Sequence, residues 1–224
     1  MGTVHYKFVQ AALLLCCAVS TLAQAPFAPA ELNSASDVQS PSGSAATGIV
    51  VLDVSLSDAG EVEAVDAPRE INTLTSVAIS SIKTWKFKAA SLGSATMPSV
   101  IRVAFAFRPR ALAAAPPTFD PLIQPEEESP EAKSGYLPPG ILAAVYPAYA
   151  IDAATVGAVV VQVKVSPDGR VGDLKVIRPF SPFTKFAVEA AKKWQFQAAK
   201  VDGEPVASSL VIVFVYASPA NSTY

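Results

Sequence analysis

The sequence predicts an α+β fold of two small repeated units. Each is a three-stranded antiparallel sheet with one helix packed on a face, in the order β-β-α-β. Three observations carry this. Shifted against itself by 109 residues, the chain matches without a gap, with 17 identities over the 60 positions 48–107. Within each copy, apolar residues alternate with a period of two, which marks strands with one buried face. Between the second and third strands of each copy, apolar residues recur at helical spacing. A repeat of this kind has to be recognised before a fold is assigned.

The second copy reads most clearly. Val159, Val161, Val163 and Val165 alternate with Val160, Gln162, Lys164 and Ser166, giving a first strand. Pro167-Asp168-Gly169 is a turn signal, because glycine adopts positive φ without steric cost. Val171 to Ile177 is the returning strand. Ser181-Pro182 reads as an N-cap followed by proline in the first helical position. Phe183, Ala187, Ala190, Ala191 and Trp194 form the apolar stripe of the helix. Asp202-Gly203 turns the chain, and Leu210 to Tyr216 is the last strand. In the first copy Val50, Val54 and Leu56 face inward and Asp53 and Ser55 outward. Its helix is expected from about Asn72 to Trp85 and its last strand from Ser99 to Phe107.

The expected organisation is a signal peptide over 1–25, a disordered segment over 26–47, and the first unit over 48–108. A linker over 109–135, the second unit over 136–217 and a tail over 218–224 follow. The leader has a basic start at Lys7, an apolar run from Phe8 to Val19, and small residues before two candidate cleavage points, Ala23 and Ala25. Pro26 makes cleavage after Ala25 awkward and favours Ala23. The run is short for a spanning helix, which needs about 20 apolar residues. The stretch from Phe8 to Ala30 is nevertheless uncharged, so a retained anchor is the rival reading. Cys16 and Cys17 lack the small preceding residue of a lipoprotein signal. The linker carries Pro116, Pro117, Pro121, Pro125 and Pro130 with Glu126, Glu127, Glu128 and Glu131, the composition of a semi-extended solvated spacer.

Composition excludes several functions. Lys+Arg total 17 against 19 Asp+Glu, so the concentrated basic charge of a nucleic-acid binder is missing. The only histidine, His5, and both cysteines lie in the leader. Cleavage would remove every candidate for zinc coordination, imidazole catalysis, thiolate attack or disulfide bonding. No cofactor, metal site or catalytic residue is expected. Ser80-Ser81-Ile82-Lys83 matches a Ser-x-x-Lys pattern, with Lys133-Ser134-Gly135 beyond it, but the middle motif of penicillin-recognising enzymes is absent and Glu189 replaces Ser80 in the second copy.

The second copy resembles the C-terminal domain of TonB-family energy transducers; the first is a degenerate relative. The resemblance covers about 136–217. It rests on Tyr146-Pro147, Ala150, Gly157 with its valine strand, Pro167-Asp168-Gly169-Arg170-Val171, Ala187, Ala190, Lys193-Trp194-Gln195-Phe196, Ala199 and Asp202-Gly203-Glu204-Pro205-Val206. It implies a non-enzymatic protein, exported to the periplasm or anchored in the inner membrane, that accepts an extended segment of an outer-membrane transporter beside its last strand. That is β-augmentation, in which backbone groups on an open strand edge recruit another strand. The site so implied is Ala207, Ser208, Ser209, Leu210, Val211, Ile212, Val213, Phe214 and Val215. Departures are Ala198 where the family has proline, the position of His5 ahead of the apolar run, and a folded copy in place of a bare spacer.

Trp85, Phe87, Trp194 and Phe196 are expected to anchor helix to sheet, since large aromatics dominate a small core. Asp168 and Gly169 are expected to be turn residues. The last strand of the second copy is apolar on both faces: Leu210, Ile212, Phe214 and Tyr216 on one, Val211, Val213 and Val215 on the other. Such a strand is covered on both faces or waits for a partner. The cover is expected to be the first unit, another copy of the chain, or a ligand segment. Competing functions are a structural scaffold or dimer without a transporter role, a true transducer with its leader retained, and, least favoured, an enzyme. Membrane contact is expected only through a retained leader.

Overall fold

A computed structural model describes residues 27–38, 46–108, 135–148 and 156–216. The signal peptide, nearly all of the linker, Ala150 and the tail lie outside the described residues.

The first half contains β1 (Phe27–Ala28), β2 (Glu31–Ser34), β3 (Gly48–Leu56), β4 (Val62–Arg69), α1 (Asn72–Ile82), β5 (Lys86–Lys88), β6 (Ala90–Leu92), β7 (Ala95–Met97) and β8 (Ser99–Phe107). The second contains β9 (Tyr136–Leu137), β10 (Gly140–Ala143), β11 (Gly157–Val165), β12 (Val171–Arg178), α2 (Thr184–Ala191), β13 (Gln195–Gln197), β14 (Ala199–Val201), β15 (Glu204–Val206) and β16 (Ser208–Tyr216). Every strand of the first half has its counterpart 109 residues on. The repeat therefore starts at Phe27 and Tyr136. The segment expected to be disordered contributes β1 and β2, and Leu32 and Val38 are fully buried.

The two units do not form separate three-stranded sheets. Each half supplies an antiparallel triplet, β4-β3-β8 and β12-β11-β16. The last strands, β8 and β16, pair parallel to each other, giving one six-stranded sheet in the order β12-β11-β16-β8-β3-β4.

The register of that seam decides the architecture. Leu210 lies beside Arg102 and Phe214 beside Ala106, an offset of 108 rather than the 109 of the duplication. Side chains alternate along a strand, so a one-residue offset puts equivalent residues on opposite faces. One face bears Val50, Leu52, Val54, Val103 and Phe105 under α1, joined by Val211, Val213 and Val215 of the other half. The opposite face bears Val159, Val161, Val163, Ile212 and Phe214 under α2, joined by Ile49, Val51, Ala104 and Ala106. The doubly apolar strand of the second copy is thus covered on its second face by the first half. Burial of Val211, Val213 and Val215, each no more than 1% exposed, contributes on the order of 5 kcal/mol.

Local chemistry explains the smaller features. In α1, Leu74, Ala78 and Ile82 recur every four residues and face the sheet. Pro182 and Ser181 lie ahead of α2 rather than in its first turn. The helix begins at Thr184, and no side chain caps its N-terminus. Instead the Phe180 N–H donates to Thr184 Oγ1 at 2.8 Å, as the Ile71 N–H does to Thr75 Oγ1 in the first half. The two β-turns are also equivalent, with the Gly60 N–H donating to Ser57 O and the Gly169 N–H to Ser166 O. Gly60 and Gly169 have φ of +81° and +79°, and a Cβ on either would lie 2.6 Å from the Phe87 or Phe196 carbonyl oxygen. Only glycine fits there.

Candidate partner-binding edge

Eight of the nine residues expected to form the recruiting edge lie inside the sheet. Ala207 is exposed just ahead of β16, while Ser208 to Val215 are buried. β16 pairs with β11 along its whole length on one side, and from Leu210 to Val215 with β8 on the other. The margin expected to be open is therefore filled by the chain's own backbone. Ser209 lies just beyond the β8 ladder, where its hydroxyl donates to the Ala30 carbonyl.

The short segments before each first strand lock this seam. β2 pairs with β5 and β10 with β13, each lying along its own half while bonding to the other. The Leu32 N–H donates to Gln162 Oε1 at 2.8 Å. From the opposite direction, Arg102 Nη1 donates to the Pro139 carbonyl at 2.9 Å. Pro139 is the counterpart of Ala30 under the 109-residue shift, so the same backbone position is clasped in both halves. Arg102 is fully buried and also holds the Asp53 carboxylate through Nε at 2.8 Å and Nη2 at 2.7 Å. Arg178 Nη1 donates to the Ala158 carbonyl and pairs with Asp37 at 3.0 Å, crossing between halves again. Arg108 Nε donates to the Pro147 carbonyl at 2.9 Å.

Three tyrosines sit at these contacts. Burial pushes the Tyr146 hydroxyl up to about 12, against the opposing pull of the Arg69 guanidinium. Burial also raises the Tyr136 hydroxyl, with Arg102 opposing it and Asp53 reinforcing it, and the Tyr216 hydroxyl, with Arg108 opposing it.

The expected core aromatics are in place. Trp85 stacks on Phe105 at 5.7 Å and Trp194 meets Phe214 edge-on at 6.1 Å. Phe87 and Phe196 are buried beside them. The Trp85 indole N–H donates to Ser36 Oγ and that of Trp194 to the Val145 carbonyl. Asp168 accepts a hydrogen bond from the Ser166 hydroxyl, which with the Arg170 backbone and guanidinium holds its carboxyl below the usual range. Ser80 lies on the exposed side of α1, and its hydroxyl donates to the Ser76 carbonyl, an ordinary helical back-bond rather than a nucleophile's contact.

Among the described residues, the six-stranded sheet ends at β4 and β12, each paired on one side. β4 carries Pro68, which lacks a donor, together with Glu63 and Asp66, devices that protect an edge. β12 has no proline. Its Gly172, Asp173, Lys175 and Val176 are exposed and its other residues half-buried. β12 also carries charges, Asp173, Lys175 and Arg178, so proline is what distinguishes the two margins.

The expected first unit omits 27–38, and no strand is expected within 136–148, although that segment falls inside the expected second unit. Their signal was present but weak: Pro29 and Ala35 recur as Pro138 and Ala144, and Leu32 as Ile141.

Each half thus supplies an antiparallel triplet with one helix packed on it. Residues 143–217 match the family model of the Gram-negative bacterial TonB protein C-terminal domain. No curated protein and no solved structure matches the chain. Among the described residues, no helix is long and apolar enough to cross a membrane.

Proposed function

We propose that this is a periplasmic, TonB-like, non-enzymatic protein of energy-coupled transport, which binds an extended segment of an outer-membrane transporter or another envelope protein by strand addition. The binding margin is β12 rather than β16. The match over 143–217 supports the TonB-like reading. The observation that carries the choice of margin is that β12 belongs to the matched region and is paired on one side only, whereas β16 is paired on both. An incoming strand at β12 meets free backbone groups over Val171–Arg178 without displacing β8.

Hydrogen exchange on the exported protein with transporter N-terminal peptides near ~100 μM, a weak-binding regime, tests this. The expected result is new protection over 171–178 and unchanged exchange in β16. No protection anywhere would refute strand addition. Protection of β16 with loss of protection in β8 would return the site to the last strand.

A second reading is a scaffold with no transporter role. It is favoured by the sealed seam and its buried Arg102–Asp53 clasp. Under it, no peptide protects β12, and the protein is recovered with envelope components instead.

A further inference from the structure

We propose that the small β1-β6-β7 sheet of the first half is a bilayer-docking tip, whose Phe27, Leu92 and Met97 side chains enter the boundary between lipid headgroups and acyl chains. Phe27 lies beside Leu92 in the β1–β6 ladder, Ala95 beside Leu92 and Met97 beside Ala90 in the β6–β7 ladder. Side chains paired in register share a face. Ala90 roots that face in the core, while Phe27, Leu92 and Met97 are 36%, 51% and 39% exposed.

The duplication supplies an internal control. The counterparts Tyr136, Val201 and Val206 are all half-buried. The second-copy hairpin carries Lys200, Asp202 and Glu204, whereas residues 89–101 of the first copy contain no charge. The fold therefore does not require an apolar, charge-free tip; only the first half has one.

Position and size identify the occupant. Phe27 lies in the uncharged stretch from Phe8 to Ala30, and seven residues separate it from Val19, at most about 29 Å of extended chain. A retained leader would therefore hold this tip at the membrane surface. Three side chains fall far short of the roughly 800 Å² per partner of a stable protein interface. A bilayer demands no such area or shape match, and amphipathic surfaces bind it through a few apolar groups beside cationic ones. Lys86 and Lys88 are exposed on the strand leading into β6; Glu31 lies opposite Lys88 in the β2–β5 ladder, so Lys86, opposite Ser34, supplies the cation for anionic headgroups.

The test places a reporter on each copy. Trp85 and Trp194 are buried, so a tryptophan at Leu92 or at its counterpart Val201 reads its own surroundings. The exported protein carrying Leu92→Trp or Val201→Trp is mixed with phosphatidylethanolamine–phosphatidylglycerol vesicles with brominated acyl chains. The emission that Leu92→Trp adds to that of Trp85 and Trp194 is expected to fall about twofold, with that added by Val201→Trp unchanged, because quenching requires entry to acyl-chain depth. Adding Phe27→Ser and Met97→Ser is expected to weaken vesicle partitioning about tenfold or more. An unquenched Leu92→Trp overturns the proposal. Equal quenching of both reporters also overturns it, since a leader alone would then account for membrane proximity.

Discussion

Replacing Arg102 with methionine removes three hydrogen bonds from the centre of the molecule. The guanidinium is fully buried, holds Asp53 at 2.8 and 2.7 Å, and reaches the Pro139 carbonyl of the other half at 2.9 Å. Methionine keeps much of the volume, so the cost is electrostatic. Breaking a buried ion pair by removing one partner costs about 3–5 kcal/mol. The Asp53 side chain is 15% exposed and partly rehydrates, which places Arg102→Met at the lower end, about 3 kcal/mol. For a protein of this size, that lowers Tm by roughly 6–12 °C. The second copy suggests the compensating change, because Gln162 and Val211 stand where Asp53 and Arg102 stand in the first. The double variant Asp53→Gln/Arg102→Val removes the buried charge pair and is expected within about 1.5 kcal/mol of the parent, the remaining cost being the Pro139 carbonyl that has lost its donor. Urea unfolding followed by tryptophan fluorescence measures both, and Trp85 and Trp194 report on one half each. The two reporters should change together, because the halves share a sheet. The reasoning fails if Arg102→Met stays within 1 kcal/mol of the parent, if the double variant is as unstable as Arg102→Met, or if the reporters separate.

Three further outcomes follow from the same geometry. Val213→Lys buries an ammonium beside Phe105 at the seam and should cost more than about 3 kcal/mol, measured as a loss of the cooperative urea transition. Gly169→Ala forces a side chain into φ +79° and against the Phe196 carbonyl. It should destabilise by about 1–3 kcal/mol, and Gly60→Ala should do the same, so a neutral result at both would contradict the close approach. Alkaline pH should unfold the protein. Burial raises the hydroxyls of Tyr136, Tyr146 and Tyr216 in the folded state, so unfolding releases protons above the ordinary tyrosine value near 10. Stability is then fully present below pH ~10 and is lost as pH rises toward and past the Tyr146 value of about 12. Urea midpoints measured across that window should fall steeply, and Tyr146→Phe should flatten the fall.

By itself the sequence determined the long strands and helices, whose burial pattern repeats along the chain. Alternating valines specify β11, the Asp168-Gly169 turn specifies the return, and the four-residue spacing of Leu74, Ala78 and Ile82 specifies α1, because burial patterns of period 2 and 3.6 are local properties. The doubly apolar Leu210–Tyr216 announced that its second face is either covered or awaits a partner. What covers it was not legible, since the β8–β16 register is a choice between contacts over 100 residues apart, and one residue of offset exchanges the faces of a whole half. Arg102 shows the limit most clearly. Alternation along Ser99–Phe107 sets it on the face opposite Ile101, Val103 and Phe105, and only tertiary structure, by bringing Asp53 and the Pro139 carbonyl within hydrogen-bonding distance, allowed that face to be buried with a charge on it. The same seam moved the candidate margin from β16 to β12, because a strand edge is open only when nothing else in the fold pairs with it.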